Sequence, residues 1–482
     1  IAYVIDDEGT AGQRVVFTYE ERDDKISDAR GGFNEVTGHR LTDVEVFTGN
    51  TRIRHYELTY EPYANAGGAS RLSRVRTFGA NGSLYPIQYT FTYSKSLAGV
   101  CDGVECEAPF VVDVGSLDGV NLQAGNATLV DMNGDGLPDF IETPTDGSNH
   151  QIYISELDED GTHSFSNPQP SALNDTSSTQ LTIPGVQMLD HDGDGFADLV
   201  NALTGQIFVN DASGDWAGTI NVGASGSLAA SDFDFDEDAD ELTTLRFFDY
   251  NSDGMIDILK AAGTGTAIVE NTGAGFANVP TVEDIGATFV DNNLELADMN
   301  GDGLLDPTII AAGEVRYRIN LGHGKWADWK TVPATQITVD NLDFTSLEDL
   351  NGDGIDDVVT VIADTLTFAL NRNGDHFDTV QTLTTVGGSP IPYRDADTTV
   401  LFADMNANGS NDVVWVTSTG GVQYLEMFPV RPNLLTRYEN GIGLVTEVTY
   451  KSAVQERAKN PQGWPDPIPT PMLVVSTIDT YA

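Results

Sequence analysis

The sequence predicts an all-β protein with a six-bladed β-propeller at its centre, preceded by a small antiparallel β domain and followed by a β-hairpin tail. The first observation is an acidic nine-residue motif that occurs six times, at intervals of 59, 59, 49, 51 and 55 residues. The second is an apolar strand with a glycine turn and an aromatic residue, which follows each of the first five motifs, as between Asn320 and Trp326. Two linked signals per period of about 50 residues predict one four-stranded blade per repeat.

Two shifts in composition predict the domain boundaries. Residues 1–100 hold 11 of the 24 Lys and Arg residues, residues 101–430 hold eight, and residues 431–482 hold five. We therefore expect an antiparallel β domain over 1–100, the propeller over 101–430, and a hairpin with a proline-rich tail over 431–482. In the first segment Ile87, Tyr89, Phe91 and Tyr93 alternate with polar residues, which is the period of a half-buried strand. The first residue is not Met, and we expect the chain to be part of a larger protein.

The sixth repeat leaves room for only three strands before the tail begins. We predict that residues 110–122, which precede the first motif, supply the missing outer strand and so close the propeller without a free edge. In the tail, the Asn440-Gly441 turn between two apolar runs predicts a hairpin. Residues 461–471 are rich in proline and are expected to run extended.

The repeated motif has the oxygen-rich pattern of a calcium-binding loop, because calcium takes six to eight oxygen ligands. Positions 1, 3, 5 and 9 offer carboxylate or amide oxygens, position 7 offers a backbone carbonyl, and position 6 is a glycine that must turn sharply. The ligands predicted in loops one to three are Asp131, Asn133, Asp135, Leu137 and Asp139; Asp190, Asp192, Asp194, Phe196 and Asp198; and Asp249, Asn251, Asp253, Met255 and Asp257. Those predicted in loops four to six are Asp298, Asn300, Asp302, Leu304 and Asp306; Asp349, Asn351, Asp353, Ile355 and Asp357; and Asp404, Asn406, Asn408, Ser410 and Asp412.

The number of carboxylates predicts the order of affinity. Loop two has four and should bind most tightly, loop six has only Asp404 and Asp412 and should bind most weakly, and the other loops have three. His191, at position 2 of loop two, is expected to face away from the ion. An EF-hand is excluded because position 12 is not Glu and no amphipathic helix flanks the loop. Magnesium is disfavoured because it prefers to keep its waters.

The calcium ions are expected to be structural. Without them each loop places several carboxylates within a few ångströms, and their repulsion opposes folding. The simpler interpretation is that the motifs are only polar turns, in which Asp and Gly are common. Six copies of the same four-ligand spacing favour several calcium ions over that interpretation.

The formal charge of −50, from 74 acidic and 24 basic residues, excludes non-specific nucleic-acid binding and suits cations or basic protein partners. Cys101 and Cys106 form either a small local disulfide or two free thiols. The acidic segment 232–241 is an extra cation site, a docking strip or a solvated loop. No apolar stretch reaches the length of a membrane span. No nucleophile elbow, phosphate loop or dinucleotide motif is present, and we expect no enzymatic activity.

The motifs resemble those of known families. The motif Asp-x-Asn-Gly-Asp-Gly-x-x-Asp with its Asn-x-Gly-x-Gly-aromatic turn resembles the FG-GAP/VCBS repeats of integrin-like propellers, over about residues 101–430. The flanks, including residues 16–22, 54–60 and 87–93 before the propeller and 432–443 after it, are similar to the B component of insecticidal toxin complexes and to SpvB-type virulence proteins.

That resemblance implies a secreted virulence protein whose propeller sits on a shell of YD (RHS) repeats enclosing a toxic segment. The propeller would dock the shell onto a pore-forming toxin component and act as a gate. An alternative of a different class is a secreted or cell-surface adhesin, with an integrin-like propeller that binds glycans. YD repeats further along the protein would favour the first hypothesis, and a cell-wall sorting domain would favour the second.

Overall fold

The structure is a computed structural model, which confirms the predicted all-β fold with a six-bladed propeller. It describes residues 2–4, 12–31, 33–61, 70–94, 108–174, 179–183, 186–201, 206–210, 216–221, 245–262, 265–272, 276–290, 294–459 and 471–482. Cys101, Cys106 and segment 232–241 lie outside these residues, as does most of the proline-rich stretch.

The strands on the two sides of the propeller form one antiparallel sheet, which we call the flanking sheet. Its nine strands lie in the order β1 (Ala2–Val4), β2 (Gln13–Asp28), β3 (Glu35–Thr48), β4 (Thr51–Tyr60), β5 (Leu72–Gly79), β6 (Leu84–Tyr93), β37 (Leu435–Glu439), β38 (Val445–Ser452) and β39 (Leu473–Tyr481). The two flanks meet where β6 pairs with β37, with Phe91 opposite Tyr438. The predicted hairpin is present as β37 and β38, and the short helix α1 (Ala453–Lys459) follows it.

The blades are four-stranded antiparallel sheets, and each begins with its inner strand. Blade one contains β8 (Ala127–Val130), β9 (Asp139–Glu142), β10 (Asn149–Tyr153) and β13 (Gln169–Asn174). Blade two contains β14 (Val186–Leu189), β15 (Asp198–Asn201), β16 (Gln206–Asn210) and β17 (Trp216–Asn221). Blade three contains β18 (Leu245–Phe248), β19 (Asp257–Ala262), β20 (Gly265–Asn271) and β21 (Phe276–Asn278).

Blades four and five follow the same pattern. Blade four contains β22 (Leu294–Ala297), β23 (Asp306–Ala311), β24 (Gly313–Tyr317) and β25 (Lys330–Ala334). Blade five contains β26 (Thr345–Glu348), β27 (Asp357–Ile362), β28 (Thr365–Ala369) and β31 (Gln381–Leu383). Three small two-stranded hairpins lie outside the four-stranded blade sheets. They are β11 (Ser155–Leu157) with β12 (His163–Phe165), β29 (Asn371–Arg372) with β30 (His376–Phe377), and β32 (Thr385–Val386) with β33 (Ser389–Pro390). Two 3-10 turns span Leu122–Ala124 and Leu342–Phe344.

The sixth blade closes the ring as predicted. It contains β34 (Thr398–Ala403), β35 (Asp412–Thr417), β36 (Gly421–Glu426) and, as its outer strand, β7 (Phe110–Ser116) from before blade one. Tyr424 of β36 pairs with Val112 of β7. Backbone hydrogen bonds between β36 and β7 therefore join the start of the propeller to its last blade.

The hydrophobic core lies between neighbouring blades. Blades five and six share a cluster that includes Phe368 and Trp415, and blades six and one share another that includes Phe140 and Tyr424. These four side chains are at most 2% exposed. Each sheet therefore buries both faces, which explains why its central strands are runs of apolar residues rather than alternating ones.

Candidate metal centres

Each acidic motif is the loop between the first and second strands of a blade. In all six loops the Oδ2 atom of the Asp at position 1 accepts a hydrogen bond from the glycine N–H at position 6, at 2.7–2.9 Å. The φ angles of these glycines lie between 84° and 90°, a left-handed conformation that other residues rarely adopt. The sharp turn predicted at position 6 is thus confirmed.

The loop geometry brings positions 1, 3 and 5 together. In loop one, Nδ2 of Asn133 donates to Oδ2 of Asp135 at 3.1 Å, and the N–H of Asp135 donates to Oδ1 of Asp131 at 3.3 Å. In all six loops the N–H at position 7 donates to the side-chain oxygen at position 5, at 2.9–3.1 Å. The position-7 residues therefore lie beside the cluster of position-1, -3 and -5 oxygens.

The Asp at position 9 anchors the loop to its blade. In loop two, Oδ1 of Asp198 accepts from the N–H of Asn210 at 2.7 Å, and Oδ2 accepts from the N–H of His191 at 3.1 Å. All six position-9 residues are fully buried. Among the described residues, only loop two brings three acidic or histidine ligand atoms within 4.8 Å of one another: Asp190 with Asp192 and Asp194, and His191 with Asp192 and Asp198. Whether position 9 binds an ion stays a prediction.

His191 lies against the carboxylate at position 9 of its own loop, and its orientation relative to an ion stays a prediction. Its Nδ1 atom contacts the carboxylate of Asp198, and the side chain is largely buried. Position 2 is a buried apolar residue in the other five loops, whereas in loop two the imidazole at this position folds back onto the Asp at position 9. Burial is the largest single cause and lowers the pKa of His191, but the hydrogen bond to Asp198 and the charges of the loop aspartates together outweigh it, so the pKa is raised.

Burial makes the carboxylates of the loops difficult to ionise without a counter-charge. At position 1 it raises the pKa of Asp131, Asp298 and Asp404 to about 6. At position 9 it raises the pKa of Asp257 to about 7 and that of Asp139 to about 8. In every case burial is the largest cause, because a charged carboxylate loses its water.

The donors fit a hard cation such as calcium. Positions 1, 3 and 5 offer only carboxylate and amide oxygens, the ligand type that calcium prefers. In loop five, Oδ2 of Asp353 is buried and has no hydrogen-bond partner. Burial raises the pKa of this carboxyl to about 7, and the charge of Asp349 raises it further. A cation bound between these side chains would compensate both carboxylates and give the orphaned oxygen a partner.

Neighbouring loops contact one another through their backbones. In three pairs of loops the N–H at position 8 donates to the position-1 carbonyl of the preceding loop: from Ala197 to Asp131 at 3.1 Å, from Asp356 to Asp298 at 2.9 Å and from Asn411 to Asp349 at 3.2 Å. In addition, blades two to five have an Asn at or just after the end of the third strand that donates to the position-2 carbonyl of the loop before it. Asn371 does so to Met299 at 3.1 Å. The loops therefore form a connected belt on one face of the propeller.

The flanking sheet covers part of this belt, which the sequence did not reveal. The N–H of Ala29 donates to the carbonyl of Asp302 in loop four at 2.8 Å. Arg431 lies against the glycines of loops five and six, and Val454 of helix α1 packs with Leu137 of loop one. Loops two and three are more open. At position 5, Asp194 and Asp253 are exposed, whereas Asp302 is 1% exposed.

Comparisons with known proteins agree with this architecture. The family described as "Insecticide toxin TcdB middle/N-terminal region" matches residues 388–481, which include three strands of blade six and the last three of the nine strands of the flanking sheet. The FG-GAP-like repeat family matches residues 131–201, from loop one into blade two. The resemblance to the B component of insecticidal toxin complexes is confirmed. The resemblance to SpvB-type proteins stays a prediction.

Solved toxin structures share the fold over nearly the whole chain. The Photorhabdus luminescens Tc holotoxin pore matches with a TM-score of 0.74 and 18% identity, covering 97% of this chain and 23% of that one. A crystal structure of TcdB2-TccC3 matches with a TM-score of 0.63 and 16% identity, covering 97% and 24%. This chain thus spans about a quarter of the length of the toxin chains it matches. A search of curated proteins finds no match. Among the described residues, no helix is long and apolar enough to cross a membrane.

Proposed function

We propose that this chain is the calcium-stabilised propeller region of a secreted toxin-complex B-component-like protein, and that it serves as a non-catalytic scaffold. The observation that carries the proposal is the position of the loops. Loops one, four, five and six lie against the flanking sheet or the segments that join it. Calcium ions in these loops would hold the propeller rigidly against the flanking sheet. A scaffold that binds a partner protein needs this rigidity.

The face of the propeller opposite the loops is the proposed docking face. It carries the connections between blades, because each of these leaves the outer strand on that side. Large apolar side chains are exposed there, including Val290 at 56%, Val339 at 82% and Tyr393 at 61%. These side chains lie in three successive blade connections, and a contiguous apolar patch formed from them would mark an interaction site. The acidic propeller around them suits a basic partner surface.

We propose that the partner is the pore-forming component of a toxin complex. The propeller would act as a gate between this component and the YD-repeat shell. The similar structures include a Tc holotoxin pore and TcdB2-TccC3. Their shared fold and the TcdB family match support the same kind of assembly here.

The docking face is tested by substitution on the two faces of the propeller. The Val339→Asp/Tyr393→Asp double variant should weaken binding to a pore-forming toxin component at least tenfold, measured by biolayer interferometry. Leu321→Asp is the matched control, because Leu321 is 47% exposed on the loop face, in the connection between β24 and β25. Equal binding by both variants would contradict the docking face. Failure of the unsubstituted protein to bind would contradict the scaffold function.

A further inference from the structure

Blade six departs from the other blades at two positions. Position 5 of its loop is Asn408 instead of Asp, and its third strand ends with Glu426, where blades two to five have an Asn at or just after the end of that strand. Both side chains are buried, Asn408 at 7% and Glu426 at 0% exposure. A buried carboxylate requires hydrogen-bond donors or a cation. The presence of Glu426 in the core therefore has to be explained.

Glu426 takes the structural place of the missing position-5 carboxylate. In loops one, three and four, Nδ2 of the Asn at position 3 donates to Oδ2 of the Asp at position 5, as Asn133 does to Asp135. In loop six the same atom of Asn406 donates to Oε2 of Glu426 instead. Nδ2 of Asn408 donates to that oxygen as well, at 3.0 Å. A residue 14 positions beyond the loop thus restores its third carboxylate.

A second observation comes from Asp412, at position 9. In blades one to five, Oδ1 of the position-9 Asp accepts from a backbone N–H of the third strand or its end, at 2.6–2.7 Å. In blade six, Oδ1 of Asp412 is buried and has no hydrogen-bond partner, and the residue is 0% exposed. The carboxyl groups of Asp412 and Glu426 lie within hydrogen-bonding reach of each other, so this buried pair needs a proton or a cation between them.

We propose that Glu426 is a ligand of a divalent cation in loop six and completes a three-carboxylate site with Asp404 and Asp412. The inference rests on the proposed calcium binding of the loops. Loop six then has as many carboxylates as loops one, three, four and five. The prediction that it binds calcium most weakly therefore rests on a count that leaves out Glu426. Glu426 is the last residue of β36, which pairs with the closing strand β7. An ion held by Glu426 therefore also stabilises the closure of the propeller.

The test counts bound calcium ions by native mass spectrometry at saturating calcium. Glu426→Gln should bind one ion fewer than the unsubstituted protein. Glu270→Gln is the matched control and should keep the full count. Glu270 also accepts from a position-3 Asn, at 3.0 Å from Nδ2 of Asn251, but loop three retains Asp253. The double variant Asn408→Asp/Glu426→Gln, which returns a carboxylate to position 5, should regain the ion.

Three other results overturn the inference, and they are distinguishable. A full count in Glu426→Gln means that Glu426 only shares a proton with Asp412. No calcium in the unsubstituted protein contradicts the proposed calcium binding itself, and this inference with it. If the variants do not fold, a crystal structure of the unsubstituted protein with calcium decides. An ion within about 2.3–2.6 Å of a Glu426 oxygen supports the inference, and its absence there overturns it.

Discussion

The backbone N–H of Ala29 donates a hydrogen bond to the carbonyl oxygen of Asp302 at 2.8 Å. Ala29 lies in the turn after β2 and is 3% exposed, and Asp302 is position 5 of loop four. The adjacent Arg30 lies against Gly303 of the same loop. A hairpin turn of the flanking sheet is therefore seated directly on an acidic loop of the propeller.

This contact predicts a difference between two equivalent glycines. Gly303 and Gly254 both occupy position 6 with φ at 86°, but a Cβ at Gly303 would lie 2.6 Å from Cγ of Arg30, and one at Gly254 would meet nothing within 4 Å. Each Ala substitution should cost about 1–2 kcal/mol for the left-handed conformation. Gly303→Ala should cost roughly 1 kcal/mol more, in denaturant unfolding at saturating calcium. Equal losses would mean that the hairpin is not held on the loop in solution.

The closure of blade six predicts a second difference. A Cβ at Gly420 would overlap the carbonyl oxygen of Leu117, at the end of the closing strand, and its φ is 84°. Gly313 has φ at 87° and open space around it. Gly420→Ala should therefore destabilise by about 1–3 kcal/mol more than Gly313→Ala, by thermal or denaturant unfolding, because backbone has to move. If both variants lose the same free energy of unfolding, β7 does not close the propeller tightly.

Asn371, which lies just after the third strand of blade five, should stabilise the contact between blades four and five. Nδ2 of Asn371 donates to the carbonyls of Met299 in blade four and Asp356 in blade five, at 3.1 and 3.0 Å. Asn371→Ala leaves both without this donor and should lower the free energy of unfolding by at least about 2 kcal/mol. Thr382→Ala, at an exposed position of the same blade, should change it by less than about 0.5 kcal/mol. A small loss in Asn371→Ala would show that water replaces the donor.

His163 predicts a loss of stability in acid. Burial lowers its pKa from 6.5 to about 4, and its ring packs against Phe165 and Tyr424. The folded protein resists protonation that the unfolded chain accepts, so the stabilisation from the neutral ring is lost as pH falls from about 6.5 to about 4. The full loss is about 3 kcal/mol. His163→Phe should remove this part of the pH dependence, measured by denaturant unfolding at several pH values. Parallel pH curves for the two proteins would contradict it.

The sequence predicts the features that repeat, and the structure adds those that do not. Six motifs at regular spacing were enough to predict the blades, the loops and the closing strand. The pairing of Tyr93 with Leu435 was not predictable, because strand alternation does not tell which distant strand is the neighbour. The flanks were therefore expected as two units instead of one sheet. Glu426 was missed for a similar reason, since it meets loop six only through the hairpin of β35 and β36.

The most direct test of the account is thermal unfolding of the protein with about 5 mM calcium, above the Kd of roughly 10⁻⁴–10⁻³ M typical of extracellular calcium modules, and with chelator. A site with calcium at ten times its Kd adds about 1.4 kcal/mol, so several sites should raise the Tm by many degrees. The same concentration of magnesium should raise it much less, and Asp190→Asn/Asp194→Asn should lose part of the calcium effect. Identical Tm values with calcium and with chelator would contradict the account, because the loops would then be polar turns without ions.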